Sequence, residues 1–345
     1  MEVSRFDYAL PEELIAAEPL PRGASRMMLV RRDTGTIEHR RFADILSSID
    51  ENTTVVLNES RVIPARFFGK KGTGGAVEFL YLGARPDGTC DTLAKSSKPL
   101  RPGEIVTLNS GDTVEIFERV GESCRIRTSF PSTAMVDYLE RHGDMPLPPY
   151  ILKRRGEKRS RPEDRETYQT VYAGGGGSVA APTAGLHFTD GVLEQLRQRT
   201  GGHVERVTLH VGIGTFMPVK ADTVEAHVMH RESYHITPDT AARLNGDKAA
   251  GRRILAVGTT TVRTLETAAS GGILAAGDGS SQLFIYPGYE FRFVDAMLTN
   301  FHLPRSTLIM MVSAFAGYDL MMRAYREAVA EWYRFFSYGD CMLIL

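Results

Sequence analysis

Between residues 67 and 150 the chain alternates apolar and polar residues in short runs, and on either side it carries solid apolar runs instead. The alternating runs fall at 77–82, 104–108, 113–117 and 124–128, with Pro86-Asp87-Gly88 and Ser110-Gly111-Asp112 as turns between them. A period of two marks a strand with one wet face, and several short ones at this spacing predict a small β-barrel or sandwich. The solid runs, Val55-Val56-Leu57 and Ile254-Leu255-Ala256-Val257, leave no polar face and read as buried strands of an α/β sheet. Because such strands occur on both sides, the alternating stretch is an insertion. The expected organisation is an α/β domain of residues 1–66 and 151–345 and an inserted β domain of residues 67–150. A helix is expected at 132–141, and Pro146-Leu147-Pro148-Pro149-Tyr150 reads as a stiff extended connector back to the main domain.

The ends of the buried strands concentrate the chemistry, as they do in open α/β sheets. Residues 177–188, GSVAAPTAGLHF, read as a close-packed strand stopped by Pro182, after which Thr183, Gly185 and His187 cluster. Thr189-Asp190 then caps a helix running to about Arg199. Strand 254–257 delivers Gly258 and Thr259-Thr260-Thr261 to a helix start, with Arg263 one turn in. Free backbone N–H groups and a positive dipole end suit an anion there. A single N-cap needs one threonine, so three leave a surplus to explain. After Val55-Val56-Leu57 come Asn58, Arg61 and Arg66, which read as anion ligands or as partners of Glu59; two arginines exceed one carboxylate's need.

Further along, 204–211 alternates, with His210 near its end and Gly212-Ile213-Gly214 beyond it, a weak nucleotide-loop signal. Strands are also expected at 283–286 and 296–303, the latter carrying Asn300 and His302 into Pro304. The apolar helix 306–316 is core, and an amphipathic helix spans 318–336. His227, His230 and His235, interleaved with Glu225 and Glu232, lack the spacing of a structural zinc site, so no metal is expected. The run KRRGEKRSRPEDRE at 153–166 has no apolar periodicity and reads as a solvated, mobile loop whose basic front half can contact phosphate.

A formal net charge of -1 over 345 residues excludes a globally basic nucleic-acid binder, so any such surface is a local patch. Cys90, Cys124 and Cys341 are odd in number and far apart, which argues against a disulfide framework. No apolar run approaches the ~18 residues of a membrane span, and the N-terminus lacks a signal-peptide pattern. A cytoplasmic, reduced setting is the expectation.

The combined motifs resemble one family end to end. Residues 178–188 (SVAAPTAGLHF), 207–216 (VTLHVGIGTF), 256–266 (AVGTTTVRTLE), 284–289 (FIYPGY), 299–317 (TNFHLPRSTLIMMVSAFAG) and 333–343 (YRFFSYGDCML) carry the resemblance. It is to the S-adenosylmethionine:tRNA ribosyltransferase-isomerases of the queuosine pathway. The four glycines at 174–177 and the charged insert depart from the lysine-containing loop such a chain is expected to have. The resemblance implies an α/β main domain with a mixed sheet plus an inserted small β-barrel.

It also implies that the ribosyl part of S-adenosylmethionine moves to 7-aminomethyl-7-deazaguanine at the tRNA wobble position. There it is isomerised to give epoxyqueuosine-tRNA, with adenine and methionine released. S-adenosylmethionine is then a consumed substrate, no cofactor is needed, and a monomer is expected. For such chemistry His187, His210 and His302 are the candidate acids and bases. Thr183, Gly258, Thr259, Thr260 and Arg263 are the candidates for S-adenosylmethionine, and Asn58, Arg61 and Arg66 for tRNA phosphate. The alternative is a tRNA methyltransferase using the same substrate, though the acidic, glycine-rich strand-loop of that fold is missing.

Overall fold

A computed structural model describes residues 1–212, 219 and 221–345, so Ile213-Gly214 of the glycine loop lies outside the described residues. The chain divides into two units. The first comprises Met1–Ser60, Gln169–Gly175 and Ala181–Leu345; the second comprises Arg61–Tyr168 and Gly176–Ala180.

The first unit is built on a nine-stranded mixed sheet. Its order is Gly277–Ser281, Glu232–Ile236, Val204–Leu209, Thr53–Asn58, Arg253–Val257, Ala296–Asn300, Cys341–Ile344, Arg26–Arg31 and Thr36–Arg41. The four strands from Val204–Leu209 to Ala296–Asn300 run parallel. Their solid apolar runs follow from burial on both faces. Val56, Ile254, Ala256 and Met297 point into one core with helices Thr259–Ala268, Thr307–Ala316 and Tyr318–Ala330. Val55, Leu57, Leu255 and Leu298 point into the other, with helix Asp190–Arg199. Thr189 caps that last helix by accepting the Val192 N–H at 3.1 Å, as its sequence demands.

In the second unit six antiparallel strands close into a barrel, in the order Ser123–Thr128, Cys90–Ser96, Ala76–Ala84, Arg66–Lys71, Ile105–Leu108 and Thr113–Val120. Closure leaves no unpaired edge. Alternate residues such as Phe67, Phe79, Val106, Ile116 and Ile126 fill its interior. A helix, Met135–His142, follows and stops at Gly143, where an added Cβ would lie 1.9 Å from the Pro64 carbonyl oxygen.

Several expectations need correction. The second unit is longer than residues 67–150, since it takes in Arg61–Val62 and everything to Tyr168. Pro149 opens a helix, Pro149–Arg155, because a proline at the first helical position gives up no internal hydrogen bond. The charged run is ordered. That helix ends on Gly156 (φ 68), and the buried Arg155 and Asp164 side chains pair at 3.0 Å. The strand before Pro182 is only Gly176–Ser178, paired with Arg61–Val62 in the second unit. Residues 283–286 form no strand; the edge strand is Gly277–Ser281. The last amphipathic helix stops at Ala330, not 336. No helix among the described residues is long and apolar enough to cross a membrane.

Candidate active site

A cleft opens in the first unit where two parallel strands end. Strand Arg253–Val257 runs into Gly258, whose φ of 89° suits glycine, and its N–H donates to the Leu298 carbonyl at 2.7 Å. Helix Thr259–Ala268 begins immediately, so its free N–H groups stand at the cleft, which Gly258, Thr259 and Thr260 line. The threonine surplus is now explained: Thr261 turns its hydroxyl back onto the Val257 carbonyl at 2.6 Å, and Thr260 meets the Asn58 amide at 3.3 Å. Thr183, at the head of the short turn Thr183–His187, lines the same cleft.

The neighbouring strand Ala296–Asn300 supplies Thr299, Asn300 and then His302 to the cleft. His302 is fully buried, with Nε2 2.9 Å from the Thr299 hydroxyl. Tyr325 accepts its backbone N–H at 3.0 Å, and Tyr8 donates to its carbonyl. Desolvation pushes the imidazole down to about 3, so it is neutral at pH 7. The tautomer in which Nε2 donates to Thr299 leaves a lone pair on Nδ1.

His187 is held differently. Asn300 donates its amide to the carbonyls of Phe336 and Ser337, at 3.0 and 3.3 Å, which turns its Oδ1 toward His187 Nε2 at 3.1 Å. Nε2 therefore donates, and Nδ1 accepts from the Ser25 hydroxyl at 2.9 Å. Both nitrogens are committed, and burial lowers the group to about 4 even though the Asn300 hydrogen bond raises it. His187 lies outside the cleft lining and braces Asn300. His210 follows strand Val204–Leu209; its Nδ1 is buried with no partner among the described residues, and desolvation lowers its affinity for a proton. Its neighbour Val211 lines the cleft, and His210 does not.

Four other candidates lie outside the cleft lining. Arg263 is turned away into a buried ion pair with Glu232, whose Oε1 accepts the Gly212 N–H at 2.8 Å. Asn58 spends its polar atoms on Leu209, Ser60 and Thr260 and is a brace between strands. Glu59 takes neither arginine: it pairs with Arg206 at 3.4 Å. In the barrel unit Arg61 meets Glu140 at 2.8 Å and Arg66 meets Glu78 at 2.8 Å. The clustered histidines also separate. His235 pairs with Asp278, and His227 packs edge-on against Phe284.

Thr299, Phe336 and Ser337 line the cleft without having been singled out. Thr299 carried part of the signal of Thr259 and Thr260, a hydroxyl at the end of a buried strand. Phe336 carried none. Its φ of 75° is strained for a bulky residue, and hydrogen bonds to Phe301 and Asn300 hold it there.

The profile of the queuosine biosynthesis proteins matches residues 3–344, nearly the whole chain. The chain belongs to that family. It is 50% identical over 348 residues to an S-adenosylmethionine:tRNA ribosyltransferase-isomerase of Geobacter sulfurreducens, and 50% over 351 residues to one of Symbiobacterium thermophilum. Both alignments cover all of each chain. A crystal structure of an S-adenosylmethionine tRNA ribosyltransferase from Thermotoga maritima is 36% identical, with a TM-score of 0.56 over 99% of this chain and 100% of that one. A mixed sheet with helices plus a closed barrel is thus the family's fold.

Proposed function

We propose that this queuosine-family chain transfers the ribosyl part of S-adenosylmethionine to 7-aminomethyl-7-deazaguanine at the tRNA wobble position and isomerises it to the epoxyqueuosine product. The observation that carries this reading is 50% identity, over full length, to two proteins named for S-adenosylmethionine, tRNA and ribosyl transfer with isomerisation. S-adenosylmethionine is consumed; no resident cofactor or metal takes part, and the enzyme acts as a cytoplasmic monomer.

In this reading the methionine carboxylate meets the helix N-terminus at Gly258, Thr259 and Thr260, with Thr183 on the same cleft. The sulfonium acidifies the ribose 5′ hydrogens, and His302 takes one of them through Nδ1. A neutral imidazole suits that step. The proton gained is then available to the departing adenine, which neither buried histidine could otherwise supply at pH 7. The substrate amine closes on the 4′ carbon, and carbocycle and epoxide formation expel methionine. Asn300 and His187 fix the strand end that presents Thr299 and His302.

The test is to incubate the protein with S-adenosylmethionine and tRNA bearing the aminomethyl base, then quantify free adenine and the tRNA mass. Adenine equal to modified tRNA is the expected result. S-adenosylhomocysteine with methylated RNA, or no adenine from folded protein, overturns the reading.

A further inference from the structure

The whole chain is almost neutral, yet its charge is divided unequally between the units. The barrel unit holds 19 Lys and Arg against 15 Asp and Glu, a formal +4, within a chain of total -1. The sheet unit is correspondingly acidic. Much of the excess comes from residues 153–165, where seven of thirteen residues are Lys or Arg.

Sequence alone makes this segment a solvated, mobile loop; the structure makes it a scaffold. Helix Pro149–Arg155 anchors its start through buried Ile151 and Leu152. The buried Arg155–Asp164 pair ties its two ends, and Asp164 also accepts the Arg161 N–H at 2.7 Å. Midway, Arg159 forks onto Asp144 at 2.7 and 2.8 Å and lies 4.7 Å over the Phe68 ring on the barrel wall. The Ser160 hydroxyl accepts the Met145 N–H at 2.9 Å. Lys153, Arg154 and Lys158 stay exposed on this fixed frame, and the Lys153 and Lys158 side chains form no ion pair among the described residues. Rigid, closely spaced cations lose little entropy on meeting a string of phosphates, and counterion release then supplies the binding energy.

We propose that segment 153–165 is a docking surface for the phosphate backbone of tRNA, which rests on the reading of tRNA as the substrate. Phosphate contacts of this kind position the RNA without reading its sequence.

The experiment measures binding of a labelled tRNA transcript to the full chain by fluorescence anisotropy, between about 50 and 200 mM salt. The variant Lys153→Gln/Arg154→Gln/Lys158→Gln is expected to raise Kd about tenfold or more. It should also flatten the plot of log K against log salt by about two to three, with the KM for S-adenosylmethionine unchanged. A control, Arg40→Gln/Arg323→Gln/Arg326→Gln, removes three exposed cations from the sheet unit and should leave the slope alone. An unaltered slope in the first variant, or an equal loss in the control, overturns the proposal while tRNA remains the substrate. Failure of the unmutated chain to bind or modify tRNA removes the functional reading itself.

Discussion

At the strand ends of the sheet unit, polar groups turn inward and satisfy one another: His187 with Ser25 and Asn300, His302 with Thr299, Arg263 with Glu232. In the barrel unit the exposed cations turn outward, and the Arg155–Asp164 pair, buried on both sides, helps to hold them there. One region lines a cleft with no Asp, Glu, Lys or Arg among its described residues, and the other displays charge. The difference explains why a formal charge of -1 misleads when read over the whole chain. It also means that a residue's type does not give its role. Arginine is an internal strut at 263 and a surface group at 154.

The largest effect should fall on His302, the histidine on the cleft. His302→Ala is expected to lower turnover about 10²–10⁴-fold in a folded protein. His187→Ala should instead strip the partners from a buried amide and hydroxyl, costing about 1–3 kcal/mol of stability. Its turnover per folded molecule should stay within about tenfold of the unmutated chain, the smaller loss belonging to a brace and not a proton carrier. Single-turnover adenine release, paired with thermal melts, separates the two. Equal losses in turnover would merge the roles that the hydrogen bonds divide.

Next come two ion pairs buried on both sides among the described residues, one in each unit. Removing one partner strands a charge, so Arg155→Met and Arg263→Met should each cost about 3–5 kcal/mol in denaturant unfolding. Arg263→Met is expected to lose stability without a selective rise in the KM for S-adenosylmethionine. Such a selective rise would return Arg263 to the carboxylate site.

What the sequence revealed and hid follows from the range of each signal. Solid apolar runs, the Thr189 cap and the Gly258-Thr259 helix start are local and came through. So did the barrel's strongest strands. Strand Cys90–Ser96 did not, because its inward residues Cys90, Thr92 and Ala94 are small and barely more apolar than their neighbours. The order of the charged segment was hidden because it depends on pairings such as Arg155 with Asp164 and Arg159 with Asp144, and nothing in sequence sets those two arginines apart from the other five cations. Arg263 was misread for a similar reason. Its partner Glu232 arrives from an adjoining strand, and no spacing rule announces that. The cleft was legible in Thr183, Gly258, Thr259, Thr260 and His302, whereas the positive φ of Phe336 has no sequence signature.

The neutrality of the two buried histidines can be tested through pH. A histidine whose folded pKa lies below its unfolded value of about 6.5 stabilises the fold above that value. The contribution is lost as pH falls through the folded pKa, here about 4 for His187 and about 3 for His302. At pH 5 each should have surrendered roughly 2 kcal/mol relative to pH 8. Comparing urea unfolding of the unmutated chain with His187→Asn/His302→Asn isolates this share. The double variant should show the shallower decline between about pH 6.5 and 4. Parallel curves would mean that these histidines are charged in the folded state.

The smallest effect separates display from support within the barrel unit. Arg61 is about half exposed and shares Glu140 with Arg165, so the cluster keeps one surplus positive charge at the surface. Exposed pairs contribute little, and Arg61→Ala should change stability by no more than about 0.5 kcal/mol. If its surplus charge meets RNA, the tRNA salt slope should still fall by about one. Arg66 is the counterpart. It is buried between Glu78, the Lys158 carbonyl and the Phe68 ring, and has no open path to a phosphate. Arg66→Met should leave the slope intact while weakening the barrel wall that carries the basic segment. A slope change from Arg66 and none from Arg61 would reverse the assignment: the RNA would then be gripping the barrel where the arginines are most buried.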